Sequence, residues 1–185
     1  MNAIDPHHFD SILRAVLQER QAIVSTHWNG ALTPFTTLMK TVVLPEVGRR
    51  LGLIPHPSEY YSLDCIYLSE YDTEHFGSES GYPKAFSVII EHENNSKQSC
   101  EEMSKLLLFN SPLKVLITYA RAGEDLEDLL ARYGKMIENS GTAALAVSSQ
   151  RILVVFGDNP AGSPTWRSYL YNYSGFIEIS PHLLK

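Results

Sequence analysis

Cysteine is scarce in this sequence, with only Cys65 and Cys100 among 185 residues. Two cysteines cannot build a disulfide framework, and neither belongs to a CxxC pair. We therefore expect both to be reduced core residues of a cytoplasmic protein. No apolar run reaches the roughly 18 residues that a membrane helix needs. The first six residues also lack the basic region and apolar stretch of a secretory signal. The sequence thus predicts neither a membrane span nor secretion.

The sequence also lacks an excess of basic over acidic residues. Lysine and arginine number 15 against 21 acidic residues, which gives a net charge of −6. This balance argues against indiscriminate, high-affinity binding to nucleic acid, because neutralising phosphates needs a basic face. It does not exclude an enzyme that brings its own divalent cation. A phosphate-binding glycine loop is also absent, since residues 157–162 have turn chemistry and no GK[ST] follows them.

The composition is that of a folded globular protein. Hydrophobic residues make up 44% and charged residues 19%, and the length suits one domain with a sizeable core. Internal repeats, low-complexity segments and shifts of composition are all missing. We therefore expect a single domain over residues 1–185.

Hydrophobic periodicity predicts alternating helices and strands. The predicted elements are helices beginning at Asp5-Pro6 and Thr33-Pro34, strands over 60–68 and 86–90, a helix from 99, a strand over 113–119, a helix opened by 123–125, strands over 143–147 and 151–156, and a strand or hairpin over 166–179. Pro45 should kink or stop the second helix. Asn95 is an alternative cap for the helix from 99. This order predicts an α/β fold with a mixed central sheet flanked by helices on both faces.

Acidic residues follow the strand over 86–90. Side chains two apart on a strand point to one face, so Ile89, Glu91 and Glu93 should share a face, with His92 on the other. If this strand pairs as a hairpin with the preceding one, Asp64 comes beside Glu91. Carboxylates at one spot repel each other and favour the protonated form, whereas a hard cation such as Mg²⁺ removes that penalty. A metal held there can activate water and stabilise charge on a phosphodiester.

The order of these features resembles the PD-(D/E)XK nuclease superfamily, which has a restriction endonuclease-like core. The matching residues are Asp64, Glu91 and Glu93, within a core of roughly residues 9–119 that is followed by a C-terminal helix and strands over 120–185. The resemblance implies a mixed sheet flanked by helices and a Mg²⁺- or Mn²⁺-dependent hydrolase of nucleic acid, with DNA favoured over RNA. Asp64, Glu91 and Glu93 would converge within one metal-coordination sphere, with Asp64 and Glu91 holding the metal and Glu93 also holding or polarising the attacking water.

The sequence departs from the family pattern at three places. Glu93 stands where the family usually has lysine, as it does in some restriction endonucleases of this superfamily, and this removes a cation that would orient water. Lys97, four residues later, is the candidate substitute. Asp64 is preceded by Leu63 and not by proline. Glu19 is the candidate for the additional first-helix metal ligand that some members have.

The same acids also have structural explanations. Glu91 and Glu93 fit the point at which a strand emerges into solvent. Asp64 fits a strand acid paired with a base such as Arg121 or Lys84. Each explanation would leave the site without a metal.

Three tyrosines near the C-terminus alternate along the chain, at positions 169, 171 and 173. Such a row is typical of an amphipathic edge strand, and it also suits a stacking or dimer surface. Together with the acidic net charge, it motivates a second hypothesis. The nuclease-like fold would be inactive and would serve as a protein-interaction module or homodimer.

Overall fold

A seven-stranded mixed sheet with helices on both faces organises the computed structural model, which describes residues 4–28, 32–56, 59–70, 85–119, 126–158 and 164–179. The α/β prediction is thereby confirmed. The helices are α1 (Pro6–Glu19), α2 (Gln21–Trp28), α3 (Leu32–Leu38), α4 (Leu44–Arg50), α5 (Ser99–Leu108), α6 (Leu126–Asn139) and α7 (Ala143–Ser148), with a π-helical turn at Met39–Val43 between α3 and α4. The strands are β1 (Ile54–Pro55), β2 (Cys65–Leu68), β3 (Val88–Glu93), β4 (Leu113–Tyr119), β5 (Arg151–Asp158), β6 (Thr165–Asn172) and β7 (Gly175–Ile179).

The strands lie side by side in chain order, from β1 to β7. β3, β4 and β5 are parallel, and the remaining neighbours are antiparallel. This division follows from the connections, because parallel neighbours need a long crossover. Helix α5 lies in the crossover from β3 to β4, and α6 and α7 lie in the one from β4 to β5. The parallel strands are therefore central, with their carboxyl ends at the same edge of the sheet.

Successive side chains of the central strands point to opposite faces of the sheet and belong to two separate hydrophobic cores. Ile90 and Val115 belong to the core that α1 to α4 cover, whereas Ile89 and Leu116 belong to the core beneath α5 to α7. All seven residues of β4 are buried. A strand that is covered on both faces needs a continuous apolar run, and residues 113–119 form such a run.

Helix starts agree closely with the sequence signals. The carboxylate of Asp5 accepts a hydrogen bond from the His7 N–H at 3.1 Å, and Pro6 opens α1. Pro45 lies in the first turn of α4, directly after the π-helical turn. Proline is tolerated in a first turn because the N–H that it lacks has no intrahelical partner there. Helical structure therefore changes type before Pro45 and continues beyond it.

Two predicted strands were wrong in whole or in part. Residues 143–147 form helix α7, since three of the five are alanine, the residue with the highest helix propensity. The strand expected over 60–68 covers only Cys65–Leu68. Before it, Tyr60 and Leu63 bridge a tight turn in which Tyr61 and Ser62 have φ of 50° and 62°. Two successive positive φ angles interrupt any strand.

The C-terminal residues form the hairpin of β6 and β7. Tyr169 and Tyr171 are buried in the core beneath α5 to α7, whereas Tyr173 is 68% exposed at the hairpin turn. The row of tyrosines is thus mostly core and not an open stacking surface. The predicted helix start at residues 123–125 lies outside the described residues. In the part of the chain that is described, no helix combines the length and apolar character required to span a membrane.

Candidate functional site

The pairing of β2 with β3 brings Asp64 and Glu91 together. Cys65 pairs with Ile90 in the antiparallel register, so the preceding Asp64 lies opposite Glu91. Asp64 Oδ2 accepts a hydrogen bond of 2.9 Å from the backbone N–H of His92. The predicted antiparallel pairing of the two strands is confirmed, and the charge of Asp64 acts on Glu91.

Glu91 is a completely buried acid, with 0% of the residue exposed. Among the described residues, neither carboxylate oxygen has a hydrogen-bond partner of good geometry. The ammonium group of Lys105 lies 3.1 Å from Oε1. Burial raises the pKa of Glu91 to about 9, and the charges of Asp64 and Glu102 add to the rise. The site therefore disfavours the charge of Glu91 unless a further cation approaches.

Lys105 reaches Glu91 from α5. This helix begins at Ser99, as predicted, and the Asn95 side chain stabilises only the turn before it, where its Oδ1 accepts from the Lys97 N–H at 3.2 Å. Lys105 also pairs with Glu102 and donates to the Ser62 carbonyl. Burial lowers its pKa, but the interactions with the acids Glu102 and Glu91 outweigh burial and raise the pKa. Lys105 is therefore a permanent cation at the site.

A second lysine neutralises Asp64. Lys40 Nζ, on the π-helical turn, lies 2.6 Å from Asp64 Oδ1 and 2.8 Å from Glu59 Oε1. The sequence suggested Arg121 or Lys84 as structural partners of Asp64, and both lie outside the described residues. Asp64 thus has a counter-ion, from a part of the chain that the sequence did not indicate.

Glu93 is the last residue of β3 and is only half-buried. Its Oε1 accepts a hydrogen bond of 2.6 Å from the Asn95 N–H. Burial raises its pKa, helped by Glu102 and Asp64 and opposed by the Asn95 hydrogen bond. The expectation that β3 emerges into solvent at its acids fits the half-buried Glu93, whereas Glu91 is completely buried.

Lys97 and Glu19, which the sequence predicted for the site, form no hydrogen bond or ion pair with the described residues Asp64, Glu91 and Glu93. Lys97 is exposed, and no ion pair joins it to another described residue. Glu19 forms hydrogen bonds of 2.7 and 2.6 Å with Arg50 at the end of α4. Within the described ranges, no three acidic, histidine or cysteine side chains are grouped so as to hold a metal ion. The metal and the role of Lys97 stay predictions.

His92 faces away from the acids, as the alternation predicted. It is 5% exposed, and its Nε2 lies 2.7 Å from the Tyr119 hydroxyl. Burial lowers its pKa to about 4. At neutral pH it is therefore an uncharged core side chain, packed with the helices of the opposite face.

Sequence reasoning missed both lysines of the site. The sequence offered a signal for Lys105, because it follows Glu101 and Glu102 at helical spacing, but this spacing is equally typical of a surface pair. It offered no signal for Lys40, which is 24 positions before Asp64. Lys40 and Asp64 meet only because the fold places the π-helical turn beside the start of β2.

Fold and site together define an α/β protein in which a buried acid, Glu91, and a partly buried acid, Asp64, lie on neighbouring strands, each accompanied by a lysine. No protein-family model and no curated protein matches the chain. Solved structures do match, among them the central domain of yeast acetyl-CoA carboxylase, with 11% sequence identity and a TM-score of 0.42. The match covers 91% of this chain and 34% of that one, so the chain spans about a third of the structure it resembles. A likeness this weak carries no functional argument.

Proposed function

We propose that the protein is a metal-dependent phosphodiester hydrolase of the PD-(D/E)XK type that acts on nucleic acid, DNA in preference to RNA, in the cytoplasm. The observation that carries the proposal is Glu91. A fully buried carboxyl group, placed opposite Asp64 and without a well-formed hydrogen bond among the described residues, is costly in a core. A site that binds a cation gives a reason to keep such a group.

The donor set suits a hard divalent cation. Asp64, Glu91 and Glu93 offer only carboxylate oxygens, which are the ligands that Mg²⁺ and Mn²⁺ prefer. Neither Glu91 oxygen has a well-formed hydrogen bond among the described residues, although Lys105 lies 3.1 Å from Oε1, whereas Asp64 and Glu93 also accept from backbone N–H groups. Asp64 and Glu91 would hold the metal, and Glu93 would orient the attacking water. When bound, the metal supplies a polarised water and charge neutralisation at the phosphodiester.

Lys105 supplies the cation that the family usually provides by a lysine at the position of Glu93. Its ammonium lies 3.1 Å from Glu91 and is fixed by Glu102 and by the Ser62 carbonyl. A cation fixed in advance stabilises the charge that develops on a phosphodiester during hydrolysis. Lys105 is thus the stronger candidate for this role than Lys97, which is exposed on the preceding turn.

Cleavage of supercoiled plasmid and of single-stranded DNA tests the proposal. We expect cleavage with Mg²⁺ or Mn²⁺, none with EDTA, and none for Glu91→Ala. Glu101→Ala is the matched control, because Glu101 is an exposed acid on α5. Equal activity of both variants would assign the cleavage to a contaminant, and an inactive wild-type protein would contradict the proposal.

A second function, that of an inactive interaction module, is favoured by the two lysines. Lys40 forms an ion pair with Asp64, and a protonated Glu91 beside Lys105 carries no charge, so the acids need no metal in a purely structural role. A groove of about 1000 Å³ between α6 and the β6–β7 hairpin offers a surface for a protein partner or a second copy. This alternative predicts no metal binding by calorimetry and a dimer in sedimentation analysis.

A further inference from the structure

Glu102 is a further acid beside the candidate site, although the sequence did not single it out. It lies on α5 one turn before Lys105, its side chain is 16% exposed, and its Oε2 contacts the Lys105 ammonium. Burial raises the pKa of Glu91 and of Glu93, and the charge of Glu102 adds to both rises. Glu102 therefore lies within electrostatic reach of both acids, whereas the preceding Glu101 is exposed on α5.

The Lys105 ammonium meets three oxygen atoms at the site. It contacts Glu102 and lies 3.1 Å from Glu91 Oε1. It also donates a hydrogen bond of 3.1 Å to the Ser62 carbonyl, in the turn before β2. Because an ammonium group has three N–H donors, these three oxygens match its full capacity. Lys105 is thus held from three separate elements of the fold.

The single charge of Glu91 cannot neutralise both Lys105 and a divalent metal. Two cations on this carboxylate would repel each other, and solvent screens the repulsion weakly because Glu91 is completely buried. When Glu91 binds the metal, Lys105 therefore loses one of its three partners. Glu102 and the Ser62 carbonyl remain, so the ammonium keeps one anionic and one neutral acceptor. Without Glu102, only the neutral carbonyl would remain, and Lys105 would compete with the metal for Glu91.

We propose that Glu102 is a positioning residue, which retains Lys105 beside the site when Glu91 binds the metal. This inference rests on the proposed function, and it names a residue on which the metal affinity depends although that residue is not a ligand. It explains how a lysine can lie 3.1 Å from the acid Glu91 without blocking it. A cation kept in place in this way stabilises the charge that develops during hydrolysis.

Calorimetric titration with Mn²⁺ tests the inference in a double-mutant cycle. The four proteins are the wild type, Glu102→Gln, Lys105→Met and the variant with both substitutions. We expect Glu102→Gln to weaken Mn²⁺ binding about fivefold, the factor that corresponds to the loss of one partly exposed ion pair. In the Lys105→Met background the same substitution should change the affinity by less than about twofold, because Glu102 then has no lysine to retain.

Glu101→Gln is the matched control for this cycle. It removes an exposed acid from the adjacent position of α5 and should leave the Mn²⁺ affinity unchanged. Cooperative thermal unfolding in EDTA establishes that each variant is folded. Lys105→Gln, which keeps a polar end, provides the second version of the cycle if Lys105→Met does not fold.

The positioning role and the proposed hydrolysis fail separately. If Glu102→Gln weakens Mn²⁺ binding equally with and without Lys105, Glu102 acts as a ligand or a distant charge, and its positioning role is overturned. Unchanged affinity of Glu102→Gln overturns the role as well, and the hydrolysis stands if the wild-type protein cleaves DNA. If the cycle gives the expected result while no protein cleaves DNA, the role is supported and the hydrolysis is refuted. A wild-type protein that binds no Mn²⁺ refutes both.

Discussion

Replacing Glu91 by glutamine should stabilise the protein at neutral and alkaline pH when no divalent metal is present. Burial raises the pKa of Glu91 from 4.5 to about 9, with Asp64 and Glu102 contributing. Between these two pH values the folded protein binds more protons at this position than the unfolded chain does. The contribution of Glu91 to stability therefore falls as the pH rises through the window. Glutamine keeps the shape and removes this dependence.

The magnitude follows from the shift. At about 1.4 kcal/mol per pKa unit, holding a carboxyl group protonated up to pH 7 costs about 3 kcal/mol when its ordinary pKa is 4.5. Glu91 is fully buried, so solvent does not reduce this cost. Glutamine does not recover this whole cost, because its buried amide beside Lys105 is itself unfavourable. We expect a net gain of roughly 1–2 kcal/mol at pH 7, or about 2–8 °C in Tm.

Urea denaturation in EDTA at pH 5, 6, 7 and 8 measures the effect. The difference between Glu91→Gln and wild type should be small at pH 5 and should grow with pH. Glu101→Gln, which changes an exposed acid on α5, should show no such trend. A constant difference across the pH range, or a variant less stable than wild type at pH 8, would refute the reasoning.

Two further predictions concern packing and charge around the site. Lys40→Met should lower the free energy of unfolding by roughly 1 kcal/mol, because Asp64 loses its 2.6 Å ion pair, whereas Lys97→Met should change it little, as urea denaturation would show. Gly157→Ala should destabilise the fold by about 1–3 kcal/mol, since its Cβ would lie 2.5 Å from two aromatic ring atoms. Gly134→Ala, with nothing within 4 Å in a helix, should instead be neutral or stabilising by up to about 1 kcal/mol. Thermal unfolding distinguishes them.

Local signals in the sequence predicted most of the architecture. The apolar runs at residues 86–90 and 113–119 predicted two strands, and the structure has strands over Val88–Glu93 and Leu113–Tyr119, each buried on both faces of the sheet. The strand predicted over 143–147 failed because a short apolar run fits a helix or a strand equally well. The high alanine content of residues 143–147, and not their periodicity, explains why they form helix α7.

The candidate site was only half predictable, for a physical reason. The meeting of Asp64 and Glu91 follows from hairpin pairing, which the sequence pattern supports. The ion pairs that surround them depend on helix packing over long sequence distances, and one of them comes from a π-helical turn. Glu19 has the right residue type for the predicted ligand, yet its partner is Arg50. Residue type alone does not determine which counter-ion a charge meets.

Calorimetric titration of the wild-type protein and Glu91→Gln with Mn²⁺ at pH 7.5 tests the central claim most directly. The account predicts one Mn²⁺ per wild-type chain, proton release on binding because Glu91 must ionise, and no binding to the variant. The absence of heat from the wild-type protein at millimolar Mn²⁺, or equal binding to both proteins, would contradict it.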